Sequence, residues 1–268
     1  MKFETGAIAG LLTEGILIIL IPIILLIVWK KKSGAALKPA ITGMIIFPVF
    51  GVLLKLIPSY FLLIADNPLS RAINGNVWLY HLIGGGLLAG IFEEGGRFFA
   101  FKTILKNNTD KKDAISYGIG HGGIESIYLG FSAALSFALM GIIINTNGIE
   151  SITAGLDPIT AETAIAPLSA YSTSPFYVPA VLGTLERITA IILHTSLSVF
   201  VFTAANKKGY GYLFPLAIVL HTLMNFSSVF YNTGMISVAV LEIFMLIYAL
   251  IVAFFAKKLL KLHDQVTR

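Results

Sequence analysis

Seven stretches of this chain are long and apolar enough to cross a bilayer, and this limits its fold more than any other feature. They are residues 7–29, 37–64, 77–105, 113–144, 179–205, 210–230 and 234–256. A helical span needs about 20 mainly apolar residues, whereas the strands of a membrane barrel are short segments of alternating polarity, and no such alternation is present. The sequence therefore predicts an all-α protein, a polytopic transmembrane helical bundle of about seven spans forming a single integral membrane domain over 1–268. Composition agrees: 12% of residues are charged, against about 25% in soluble proteins. The first run is too long for the apolar core of a signal peptide and lacks a small-residue cleavage site, so it reads as a retained span. The second, third and fourth runs are over-long, which predicts tilting, breaks or extension into the interface.

The loops give an orientation. Lys30, Lys31, Lys32 and Lys38 follow the first span, Lys106, Lys111 and Lys112 the third, Lys207 and Lys208 the fifth, and Lys257, Lys258, Lys261 and Arg268 the seventh. The opposite side carries Lys2 and Arg71 against Glu4, Asp66, Glu150, Asp157 and Glu162. Positive charge stays inside, so the N-terminus is expected outside and the C-terminus in the cytoplasm of a multi-pass cell-membrane protein, a bacterial plasma membrane being the natural setting. The net charge of +5 is thus a topology signal and not a nucleic-acid footprint. The expected partners are membrane lipids and a membrane-associated peptide or protein substrate. Residues 145–179, rich in Ser, Thr and Pro, read as a plain outer loop, with a short interfacial helix as the alternative. Residues 65–76 read as a turn-rich connector containing Asn-Pro and Asn-Gly-Asn.

Polar groups inside the spans carry the functional signal, because an ionisable side chain in hydrocarbon costs several kcal/mol and marks a bundle interior or wet cavity. The third span places Glu93, Glu94 and Arg97 among Gly, Phe, Leu and Ile. Glu93 is four residues and Glu94 three residues from Arg97, so either acid reaches the base on one helix face. Two acids against one base leave one carboxylate over. In the fourth span His121 and Glu125 share a face inside a glycine-rich wall, Gly118, Gly120, Gly122 and Gly123. The fifth span brings His194, with Glu186 and Arg187 nearer the outer side; the sixth brings His221 and Asn225, again four apart. At 1.5 Å rise per residue, Glu93, Glu94, His194 and His221 each lie about 17 Å from the cytoplasmic side, Glu125 about 18 Å and His121 about 12 Å. Four helices thus deliver titratable groups to one layer. Glu14 and Glu242 stand alone on their helices and read as structural, as do His81 and Lys55 near the outer side.

Carboxylates and imidazoles at one depth suit water activation. A buried Glu or His takes a proton from water, a His returns it to a leaving amine, and an Asn amide stabilises an oxyanion. His121, His194 and His221 with a Glu also suit a divalent metal, zinc being the candidate cofactor. The chain has no Cys to bind one and no His-Glu-x-x-His.

These motifs resemble the glutamate-dependent intramembrane proteases that include the CAAX prenyl endopeptidases and the bacterial CPBP proteins, most closely the YhfC-type membrane peptidases. Glu93-Glu94-Gly-Gly-Arg97 resembles that group's Glu-Glu-x-x-x-Arg, one residue short. Tyr117-x-x-x-His121 resembles its Phe-x-x-x-His, with Tyr for Phe, and His221-x-x-x-Asn225 matches its His-x-x-x-Asn. The resemblance implies an intramembrane peptidase in which a Glu of the first motif and His121 activate water while His221 and Asn225 stabilise the oxyanion. Glu125 and His194 are additional to the broad pattern, Gly-His-Gly-Gly-x-Glu being typical of the YhfC type. The catalytic core is expected over about 77–230, with Glu93, Glu94, Arg97, His121, Glu125, His194, His221 and Asn225 as its site. Two other classes are compatible with such a layer: a proton- or ion-coupled transporter, although no inverted repeat is visible, and a non-catalytic immunity or partner protein on a protease scaffold.

Overall fold

The computed structural model describes residues 1–266, and Arg268, expected among the cytoplasmic cations, lies outside them. The described residues form helices and no strand. Six helices are long and apolar enough to cross a membrane: α1 (Thr5–Ser33), α2 (Leu37–Ile64), α5 (Lys111–Asn147), α7 (Val178–Asn206), α8 (Leu213–Asn232) and α9 (Val238–Lys261). A seventh span arises where α3 (Pro68–Asn74) and α4 (Val77–Lys102) are counted together across a 105° bend. This is a multi-pass membrane protein.

The bend is written in side chains. Asn67 caps α3, accepting from the Leu69 and Ser70 amides, and Pro68 at the first helical position forfeits no hydrogen bond. Asn76 caps α4 in the same way, accepting from the amides of Trp78 and Leu79 at 3.0 and 3.2 Å. The Asn-Pro and Asn-Gly-Asn signals of the connector are therefore two helix starts set at an angle.

Several spans contain wide, π-helical stretches, among them Phe47–Leu54, His81–Leu87, Ile127–Phe131 and Val178–Gly183. Each holds Gly or Pro, residues that transmembrane helices accommodate by local π adjustment. Along α2, Leu53, Ile57, Phe61 and Ile64 make one stripe that is 59–68% exposed, an outward apolar face that only lipid covers favourably.

The chain falls into two compact units, one of Met1–Ile21 with Ser126–Ile188, the other of Pro22–Glu125 with Thr189–Arg268. In the first, Phe3, Ile144 and Leu168 form a core, and the Asn145 side chain clamps the backbone of Phe3, accepting from its N–H and donating to its carbonyl, both at 2.8 Å. The stretch expected as a plain loop is instead mostly helical, with a turn at Glu150–Thr153 and α6 at Pro158–Ser172. Pro158 suits a first helical position, the Asp157 side chain accepts from the Thr160 amide at 3.1 Å, and Leu168 is buried in the core. Leu168, with Tyr171 packed beside it on the same core, anchors a stretch whose composition reads as irregular. Glu14, expected to stand alone, instead lines a cavity of about 230 Å³ with Glu186 and Arg187, and those last two pair with each other.

The second unit has the larger core, with Phe101, Tyr117, Leu193, Leu197, Phe202 and Ala217 among its members. Here α8 packs on both the wide stretch and the regular part of α4, and α4 packs on α2. Every candidate site residue lies in this unit.

Candidate active site

The site depends on how closely α5 approaches its neighbours. A Cβ on Gly120 would stand 2.1 Å from the Ala40 carbonyl oxygen of α2, and one on Gly118 would stand 2.4 Å from the Thr195 Cα of α7. Backbone meets backbone on two faces of α5, as small residues permit between membrane helices. His121 between them is thereby held against both neighbours. The glycine-rich wall of the sequence is this pair of contacts.

Around it, α4, α5, α7 and α8 bring together Glu93, Glu94, Arg97, His121, Glu125, His194 and His221, all of them buried. Arg97 lies at the centre. Its Nη1 pairs with Glu94 Oε2, both side chains being fully enclosed, and its Nη2 stands 3.0 Å from His194 Nδ1. The other Glu94 oxygen lies 2.8 Å from His221 Nδ1. His194 Nε2 stands 2.5 Å from Glu125 Oε2. A chain of polar contacts therefore runs from His221 through Glu94 and Arg97 to His194, and Glu125 of a fourth helix lies against the far nitrogen of that last ring. Glu93 keeps out of it: its Oε2 lies 3.2 Å from His121 Nε2 and 4.0 Å from His221 Nε2. The three imidazoles are adjacent, His194 lying 4.9 Å from His121 and 5.1 Å from His221 between ring centroids.

The structure sorts partners that the sequence left open. Arg97 pairs with Glu94, three residues away, while Glu93 turns to His121 on α5. Glu125, one turn from His121 along its own helix, reaches His194 across the bundle. Asn225 is one turn beyond His221, but its Nδ2 donates to the Gly85 carbonyl at 3.2 Å, which leaves its second N–H for another acceptor. Other residues complete the walls. Phe47 meets His121 edge-on at 5.5 Å, and a Cβ on Gly51 would touch the Glu93 side chain at 3.0 Å. Both lie in an apolar run where nothing distinguishes a site wall from a lipid face. Tyr117 stacks on His121 at 5.9 Å, and its buried hydroxyl has no hydrogen-bond partner among the described residues.

The donors suit a divalent metal. Glu93, His121, Glu125 and His194 each offer a ligand atom within 4.8 Å of the others, and Glu94, His194 and His221 make a second such group. Carboxylate and imidazole are zinc donors, and a catalytic zinc keeps three protein ligands and an open position. The second group is the poorer one because Glu94 is already neutralised by Arg97. In the first, Glu93, His121 and Glu125 supply three donors. His121 also has a buried Nδ1 without a hydrogen-bond partner among the described residues.

Comparison with known proteins points the same way. A family model described as YhfC intramembrane metalloprotease matches residues 17–246. The chain is 30% identical over 230 residues, 86% of its own length and 87% of the relative's, to a Bacillus subtilis (strain 168) protein described as uncharacterized membrane protein YhfC. No solved structure matches.

Proposed function

The chain belongs to the YhfC intramembrane metalloprotease family, and from that membership we propose that it hydrolyses a peptide bond of a membrane-associated peptide or protein within the bilayer of a bacterial plasma membrane. The observation that supports this most is the buried cluster itself. Three acids, one guanidinium and three imidazoles from four helices are gathered at one place, and hydrocarbon makes that arrangement too costly to keep for packing alone. The catalytic core is the region of about 77–230 inside a single functional domain.

Within it Glu93 is the proton acceptor. Glu94 is neutralised by Arg97 and occupied by His221, whereas Glu93 Oε2 faces two imidazole nitrogens. A general base needs hydrogen-bond reach to the water it deprotonates, and His121 beside Glu93 orients that water. Asn225 offers its second amide hydrogen to the developing oxyanion. A divalent ion held by Glu93, His121 and Glu125 would supply Lewis acidity and a bound water with a pKa of about 7. Glu93 belongs to both descriptions, as ligand where an ion is bound and as base where none is.

The test uses purified protein in proteoliposomes with a library of transmembrane peptides, read by mass spectrometry, alongside elemental analysis. Cleavage is expected in the wild type and not in Glu93→Gln or His121→Ala. Cleavage retained in both variants would overturn the reading. Loss of activity on chelation, restored by zinc, assigns Glu93 as a ligand; activity in metal-free protein assigns it as the base.

A further inference from the structure

We propose that the Arg97–Glu94 pair locks His194 and His221 in opposite tautomers, making His194 the N–H donor of the site and leaving it outside the ligand set of any metal. The proposal rests on reading this cluster as the catalytic centre, but its first test does not need activity.

A guanidinium carries five N–H donors and no acceptor. The 3.0 Å contact from Arg97 Nη2 to His194 Nδ1 therefore requires a lone pair on that nitrogen. A neutral imidazole has one proton, which must then sit on Nε2, the atom 2.5 Å from Glu125. The opposite holds for His221. Glu94 is ion-paired to Arg97, so it is an acceptor only, and the nitrogen 2.8 Å from it, His221 Nδ1, carries the proton. The lone pair of a neutral His221 is on Nε2, the atom that faces Glu93 at 4.0 Å. One buried ion pair thus gives two neighbouring rings opposite characters.

Two consequences follow. A metal on His194 Nε2 would demand either an imidazolate or release of Arg97, whose guanidinium is wholly enclosed. Both groupings of metal-competent residues include His194, so withholding it singles out Glu93, His121 and Glu125. Second, His221 spends its Nδ1–H on Glu94, while the N–H of His194 is on Nε2, on the side of Glu125, and its ring lies between those of His121 and His221. Arg97 is then a positioning residue that acts through His194.

Nitrogen-15 NMR of metal-free wild-type protein labelled at His and Arg decides the tautomers. The ring in contact with the Arg97 guanidinium should be protonated at Nε2 and bare at Nδ1, and the ring beside Glu94 should show the reverse. A proton on His194 Nδ1 would overturn the proposal. Titration with Zn²⁺ alone supplies a second readout. With Zn²⁺ bound, the His121 ring should show the nitrogen-15 shift of a metal-bound nitrogen while His194 keeps its Nε2–H; a metal-bound shift on His194 also overturns it. Wild-type protein that binds no zinc yet shows these tautomers would sink the metallopeptidase reading and leave the tautomer assignment standing.

Discussion

Glu93 and Glu94 are adjacent, both buried, and chemically identical, yet the structure gives them different partners, and exchanging each for Gln tests whether their duties differ too. Gln keeps the shape and one carbonyl oxygen but brings an amide that only donates. At position 94 the two neighbours, Arg97 Nη1 and His221 Nδ1, both donate. His221 can accept from the amide N–H only by moving its own proton, and the buried guanidinium loses its counter-charge. Removing one member of a buried ion pair costs about 3–5 kcal/mol. Because the carbonyl oxygen still accepts one hydrogen bond, we expect the lower end for Glu94→Gln, about 3 kcal/mol or roughly a hundredfold in the folding equilibrium. At position 93 the neighbours are the Nε2 atoms of His121 at 3.2 Å and His221 at 4.0 Å. An imidazole can accept from an amide by adjusting its tautomer, so Glu93→Gln should cost about 1 kcal/mol or less while abolishing cleavage. Equilibrium unfolding in mixed detergent micelles, run beside the proteoliposome assay, reads both quantities. Equal stability losses in the two variants, or cleavage surviving in Glu93→Gln, would refute the division of roles.

Two further outcomes follow from the packing and the charge pattern. Gly120→Ala places a methyl 2.1 Å from the Ala40 carbonyl oxygen, a clash with backbone that should destabilise by about 1–3 kcal/mol and displace His121; Gly95→Ala, with nothing within 4 Å of its Cβ, should be neutral or stabilising by up to about 1 kcal/mol, and thermal unfolding of the pair checks both. The Lys-rich loops predict a cytoplasmic C-terminus and an outside N-terminus. Reporter fusions at each end should therefore report opposite sides, and termini on the same side would mean an even number of spans.

The spans were legible because lipid allows so little else. Backbone groups without water must be satisfied within the segment, so a long apolar run is already a helix. The expected 37–64 and 179–205 become Leu37–Ile64 and Val178–Asn206. The run expected at 77–105 became a helix entered through a sharp bend, because the turn signals before it are caps and a cap fixes direction as well as start. The helix at Pro158–Ser172 was not legible. Its apolar residues are mostly alanines without a helical stripe, and the worth of Leu168 comes from Phe3 and Ile144, which sequence distance hides.

At the site, helical spacing told which residues share a depth and a face but not which way each side chain turns. Successive residues of a helix point about 100° apart, so Glu93 and Glu94 cannot both address Arg97 while each also meets a partner on another helix. One must be the ion-pair acid and the other must look elsewhere, and the surplus carboxylate counted from the sequence is the physical trace of that division. Which acid takes which part depends on α8 bringing His221 to Glu94 while α5 brings His121 to Glu93, and that depends in turn on how closely Gly118 and Gly120 let α5 approach its neighbours. Glu125 likewise lies against His194 across the bundle, 2.5 Å from its Nε2, which spacing along its own helix did not foretell. The choice of partners thus propagates from a single buried guanidinium, which is why neutralising its acid should disturb the whole chain from His221 to His194, and why changing Glu93 should disturb only the chemistry.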